Sequence, residues 1–160
     1  MEYEELDKDD FDAMVTGELS HLAIWLEGEV MDIITDYFLA DSSKRKDFMR
    51  LLLRRDGLTF QDKIEILRAM APLFGDLAKE LNLVSILNRV EEFKSFRNSF
   101  AHGIDSSGND SLELQVETVG RSGKPKTITV TPESHRNMQT HAQGLLKELR
   151  LVRSRLAPNP

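Results

Sequence analysis

The sequence predicts an all-α protein, an up-down bundle of four to five helices with one β-hairpin inserted before the C-terminal helix. Three observations lead there. Apolar residues recur at spacings of three and four through most of the 160 residues, as in helices that bury one face. One stretch, 112–131, instead alternates at period two around a glycine- and proline-containing turn. The breaks between helical segments are short, which favours antiparallel neighbours.

The first helix spans about Asp10 to Leu39, where Phe11, Val15, Leu19, Leu22, Leu26, Val30, Ile33 and Tyr37 form one stripe. Gly17 and Gly28 weaken it, each by about 1 kcal/mol relative to alanine. Asp41-Ser42-Ser43 breaks the pattern and offers a cap. A short amphipathic helix follows, with Phe48, Met49, Leu51, Leu52 and Leu53 on its apolar side, and Asp56-Gly57 ends it. Thr59 and Asp62 have capping-box spacing for the next helix, which buries Ile64, Leu67, Met70 and Ala71. Pro72 has no amide hydrogen and ends this helix near Ala71; Leu73 to Leu81 form a further turn or two. Another helix covers Val84 to Ala101, with Ile86, Leu87, Val90, Phe93, Phe96 and Phe100 apolar. After the polar loop Gly103 to Ser111 come the two alternating strands, joined by Gly120-Arg121-Ser122-Gly123-Lys124-Pro125. Pro132 opens the last helix, whose stripe is Met138, Ala142, Leu145, Leu149, Val152 and Leu156. No linker divides the chain, so residues 1–160 read as a single domain, with 1–9 and 157–160 disordered.

Composition narrows the function. There is no cysteine, which excludes disulfides, thiolate zinc sites and a cysteine nucleophile. No apolar run is long enough to span a bilayer, and MEYEELDKDD lacks the order of a signal peptide, so a cytoplasmic protein without membrane contact is expected. The net charge of −6 argues against coating nucleic acid through bulk positive charge. Local contact through Lys44, Arg45, Lys46, Arg50 and Arg54 stays open; the same cluster also reads as an ordinary solvated helix face.

The stretch that could carry chemistry is Phe93-Lys94-Ser95-Phe96-Arg97-Asn98-Ser99-Phe100-Ala101-His102-Gly103. Asn98 and His102 are four residues apart, one turn along one helix face. Arg97 sits about 100 degrees around and is long enough to reach the same rim. Gly103 marks the helix end and puts His102 in the last turn. Histidine moves protons near neutrality, arginine matches phosphate oxygens with a permanent charge, and asparagine can orient either partner. Residue types alone favour a capping or solvated turn histidine, and they allow an arginine paired with Glu91 or Glu92 and a structural asparagine.

Arg97-Asn98-Ser99-Phe100-Ala101-His102 resembles the R-N-x-x-x-H motif of the HEPN superfamily, a compact form of its R-x(4–6)-H signature. The local form R-N-x-F-A-H-G is similar to a branch that includes mannitol operon repressor-like proteins. The resemblance covers residues 19–156 in organisation, and the short motif is its specific part. It implies a homodimer whose two motifs share a cleft, with Arg97 binding phosphate, His102 acting as acid or base and Asn98 positioning them. The implied activity is RNA binding with metal-independent endoribonuclease chemistry, without cofactor or metal. The alternative it implies is a non-catalytic dimeric module that meets a regulatory protein partner. Family toxins paired with a nucleotidyltransferase often carry tyrosine two residues after the histidine; Ile104 stands there, which argues against a dedicated toxin.

Other candidates are weaker. His21, His135 and His141 are scattered without metal-ligand spacing, and Glu18 with His21 reads as a solvated contact. The Gly120–Gly123 stretch lacks P-loop spacing and reads as a turn. Trp25 and the phenylalanines read as core.

Overall fold

The computed structural model describes residues 3–39, 42–108, 112–119 and 122–156. Among them are six α-helices and three strands: α1 Lys8–Phe38, α2 Arg45–Phe48, α3 Phe60–Met70, α4 Asp76–Glu80, α5 Leu83–His102, β1 Ile104–Asp105, β2 Leu114–Val119, β3 Pro125–Val130 and α6 Pro132–Leu156. The protein is thus mostly helical, with a small antiparallel sheet before the final helix. No helix among the described residues is long and apolar enough to cross a membrane. Asp41, Ser111, Gly120, Arg121 and the tail 157–160, to which expectations were attached, lie outside the described residues.

Three expectations need correction. The helix count rises to six because Pro72 diverts the chain into a 3-10 turn, Ala71–Phe74, after which α4 forms as a separate short helix. The sheet has three strands in the order β1-β2-β3, because the two residues after Gly103 pair with β2. Residues 3–9 are structured: Tyr3–Glu5 form a 3-10 turn, Tyr3 is buried, and the Asp7 carboxylate accepts from the Asp10 amide at 2.8 Å to cap α1.

The chain divides into two compact units, Met1–Ala23 with Phe93–Ala142 and Ile24–Glu92 with Gln143–Pro160. The boundaries fall inside α1, α5 and α6, which is why no linker is visible in the sequence. In the first unit the buried residues include Phe11, Val15, Leu19 and Leu22 of α1, Phe93 and Phe100 of α5, and Leu114, Val116, Ile128 and Val130 of the sheet. The β2–β3 pairing runs from Leu114↔Val130 to Val119↔Pro125. It places the alternate residues Leu114, Val116, Ile128 and Val130 on one face, which is the buried one.

In the second unit the core is Leu26, Val30, Ile33 and Ile34 of α1, Ile64, Leu67 and Met70 of α3, Leu83, Ile86, Leu87 and Val90 of α5, and Leu145, Leu146, Leu149 and Val152 of α6. Lys63 is buried as well and forms an ion pair with Glu27. The short amphipathic helix after Ser43 is broken up. A 3-10 turn, the four-residue α2 and a π-helical turn, Met49–Leu53, follow one another. Of its apolar residues only Leu53 is buried, and Leu51 and Leu52 face solvent. Gly57 ends this segment with φ +94°, a conformation that glycine takes without a Cβ clash. Tyr37 is exposed too, and Trp25 is 56% exposed, which corrects the expectation that both lie in the core.

α3 starts as its sequence predicts. Thr59 Oγ1 accepts from the Asp62 amide at 3.2 Å, and Asp62 Oδ2 accepts from the Thr59 amide at 2.7 Å. Thr59→Ala removes one half of this reciprocal pair and should destabilise the protein by about 1 kcal/mol. Urea unfolding measures it; an unchanged midpoint would show that α3 does not depend on the cap.

Candidate functional site

Arg97, Asn98 and His102 all belong to the first unit, in the C-terminal part of α5. The helix is anchored there by Phe93 and Phe100, both buried, and the Phe96 and Phe100 rings stack with centroids 6.4 Å apart. With these aromatic residues turned inward, Asn98 and His102 come out on the exposed side, one turn apart. Arg97 lies between the two sides and is half-buried.

Two neighbours brace the Arg97 guanidinium. Nη1 donates to Asn98 Oδ1 at 3.2 Å, and Nη2 approaches Ser20 Oγ of α1 at 3.5 Å, a long contact. Nε is buried without a hydrogen-bond partner among the described residues. No carboxylate among the described residues pairs with Arg97, so Glu91 and Glu92 do not neutralise it. Glu91 instead accepts from Arg68 at 2.7 Å and from Gln61 at 2.8 Å. His102 likewise has no ion pair among the described residues and is exposed. Asn98, itself exposed, thus holds one terminal nitrogen of the Arg97 guanidinium.

Gly103 fixes the end of the helix. A Cβ built on it would lie 2.0 Å from Val116 Cγ1, 2.9 Å from Ser99 O and 3.0 Å from Glu117 O. The chain passes from His102 into β1 with its backbone packed directly on β2, so only glycine fits. One residue beyond the first β1 pair, the Asp105 carboxylate accepts from the Ser107 hydroxyl and amide and faces Lys8 Nζ at 3.7 Å. The Ser107 hydroxyl, then its amide, hold that carboxyl below its usual range.

The basic segment expected to contact RNA lies in the second unit and is partly committed elsewhere. Arg45 is ion-paired with Asp32 and Asp36. Arg153 bonds the same two carboxylates, Nη1 to Asp32 at 2.7 Å and Nε to Asp36 at 2.6 Å. Arg45 Nη1 and Nη2 each meet one of these carboxylates, so this guanidinium is committed in part within the second unit. Arg50 faces Asp47 at 3.3 Å, and Arg54 lines a cavity of about 630 Å³ with Trp25, Glu27 and Lys63. Lys44 and Lys46 are exposed.

Sequence reasoning missed a second histidine cluster in the first unit. His135, in the first turn of α6, is fully buried. Its Nδ1 lies 3.0 Å from the Tyr3 hydroxyl, and its Nε2 lies 3.0 Å from Glu18 Oε2, in a bent, electrostatic contact. Gln139 donates to the same Glu18 oxygen, and the Arg136 guanidinium lies 4.5 Å above the Tyr3 ring. With its proton on Nε2, facing Glu18, the neutral ring accepts the Tyr3 O–H at Nδ1. Contacts spanning 132 positions leave no local pattern, so no spacing could have revealed them. Among the described residues no three His, Asp or Glu side chains gather as a metal-binding set.

Two outcomes follow. Gly103→Ala should cost several kcal/mol, or force β1 off β2, because an overpacked contact with backbone on two sides cannot relax cheaply. Hydrogen exchange of the Val116 and Glu117 amides would report it, and native protection in the variant would refute the close packing. Burial, the larger influence, pushes His135 below the ordinary histidine value despite the opposing pull of Glu18. The unfolded chain therefore takes up the proton first. The stabilisation from neutral His135 is full above the free-histidine range and is lost as pH falls through the lowered native value. Urea midpoints between pH 7.5 and pH 5 should fall for the wild type and fall less for His135→Gln; parallel curves would exclude this origin. No family model, curated protein or solved structure matches the chain, so the functional reading rests on these side chains alone.

Proposed function

We propose that this chain is a cytoplasmic, HEPN-like up-down helical bundle that acts as a homodimer, binds RNA and cleaves it without a metal. The observation that carries the reading is Arg97: a half-buried guanidinium, braced by Asn98 and approached by Ser20, with no carboxylate partner among the described residues and an exposed histidine five residues on. A cation held that way keeps its attraction for a phosphate.

The chemistry follows from those groups. Arg97 binds the non-bridging oxygens of the scissile phosphate. His102 takes the proton from the adjacent 2′-hydroxyl, whose oxygen attacks phosphorus. The new P–O2′ bond forms as the P–O5′ bond breaks, giving a 2′,3′-cyclic phosphate and a 5′-hydroxyl. In a twofold dimer with both motifs in one cleft, the second copy of His102 supplies the proton to the leaving oxygen. Asn98 keeps Arg97 aimed.

A second reading, a non-catalytic regulatory module, draws on the exposed apolar residues of the second unit. Ile24, Trp25, Tyr37 and Phe38 present surface of the kind used to meet protein partners.

Cleavage of total cellular RNA in EDTA separates the two. Wild type should cut, His102→Ala should lose on the order of 100-fold or more, and Arg97→Ala should also lose cleavage, both with unchanged circular dichroism. Intact RNA with the wild-type dimer would overturn the nuclease and leave the regulatory module.

A further inference from the structure

One guanidinium holds one phosphate, and RNA affinity grows with the number of phosphates neutralised. The β-hairpin brings further cations to the end of α5. β1 follows His102 through Gly103 alone and pairs with β2 as Ile104↔Glu117 and Asp105↔Val116. One step back along that register, Gly103 stands beside Thr118. Thr118 in turn pairs with Lys126, and Val119 with Pro125. Lys126 is therefore two strand spacings from Gly103, about 10 Å across the sheet.

The face is the right one as well. Lys126 alternates with Ile128 and Val130, and Thr118 with Leu114 and Val116. This is the buried face of the sheet, and Val116 on it is the side chain that a Cβ at Gly103 would strike. Lys126 stands at the tip end of that face, beyond the core, and is exposed. Lys124 precedes it in the turn and is also exposed. Neither is in an ion pair among the described residues, whereas Arg45 and Arg50 of the segment Lys44–Arg54 face carboxylates.

We propose that Lys126, with Lys124 beside it, binds RNA backbone phosphate next to the one held by Arg97, so that the strand runs from the end of α5 across the hairpin tip. This rests on the ribonuclease reading and adds to it the path of the substrate. Lysine and proline on an edge strand also discourage pairing with a foreign strand. That role places no demand on RNA affinity, so binding tells the two apart.

The experiment is fluorescence anisotropy of a fluorescein-labelled single-stranded oligouridylate, from 50 to 200 mM salt. The protein carries His102→Ala, so that the probe stays intact. Against it stand the same protein with Lys124→Gln and Lys126→Gln, and a charge-matched control with Lys79→Gln and Lys147→Gln, two exposed lysines of the second unit. Losing two phosphate contacts should weaken binding by roughly 25-fold at 0.1 M salt and reduce the log–log salt slope by about 1.4. The control should stay within twofold. Binding within twofold in the hairpin variant overturns the proposed path while leaving the ribonuclease reading intact. An equal loss in the control overturns it too, by showing a bulk charge effect. Absence of binding before any lysine is changed defeats the ribonuclease reading itself, and this inference with it.

Discussion

The candidate site depends on one steric constraint, the absence of room for a Cβ at residue 103. Val116 Cγ1 and two backbone oxygens already fill that space. Helix α5 consequently stops at His102, and strand pairing starts at Ile104 with no intervening loop. The last turn of the helix is then held twice, by the buried Phe93 and Phe100 before it and by the sheet after it. A group meant to take a proton from a substrate must keep its place to within a fraction of an ångström, and a helix end fixed from both sides provides that. The same contact packs β2 against the end of α5, and the β2–β3 pairing sets Lys126 opposite Thr118.

Charge is distributed in a way that the net value of −6 conceals. In the second unit most cations of the core elements already have carboxylates: Arg45 and Arg153 share Asp32 and Asp36, Arg150 faces Glu29, Arg68 faces Glu65 and Glu91, Arg89 faces Glu148, and Lys63 faces Glu27. Binding an anion there means competing with a fixed intramolecular partner. In the first unit the Arg97 guanidinium has, among the described residues, neutral hydrogen-bond partners, an amide oxygen and a hydroxyl. Such neighbours orient the guanidinium without cancelling its charge, which is the arrangement an anion site needs. An acidic protein can present a local cationic site as long as its acids are occupied elsewhere.

What was legible in the sequence was local. The Thr59–Asp62 spacing announced a capping box, and Gly103 announced a helix end, because each is a short-range backbone requirement. The one-face stripe of α1 was legible from Phe11 to Ile33 and failed at Tyr37, close to the end of the helix. Trp25 was misjudged by its size; one residue before Leu26, it lies about 100 degrees off the stripe that Leu22, Leu26 and Val30 define. Two residues of β1 are too few to show alternation. The Tyr3–His135 contact was out of reach, because nothing in an acidic leader and a distant helix start marks them as neighbours. Arg45 likewise looks free in the sequence until Asp32, Asp36 and Arg153 come together around it.

His102 and His135 show why residue type says so little without surroundings. His135 stands in the first turn of α6, sealed from solvent, with a phenol on one nitrogen and a carboxylate beside the other. Any proton it takes up must be accommodated inside a packed core, against burial and against the positive end of a helix dipole. Its ring serves best as a fixed, neutral bridge that ties the N-terminal turn to α1 and α6. His102 stands in a last turn, open to water, and no described side chain forms an ion pair with it. A proton can reach it and leave it without any rearrangement of the core, and a substrate can approach it. General acid–base work requires that traffic. Of the two histidines, therefore, the exposed one, with no ion pair among the described residues, suits chemistry, and the well-connected one suits structure.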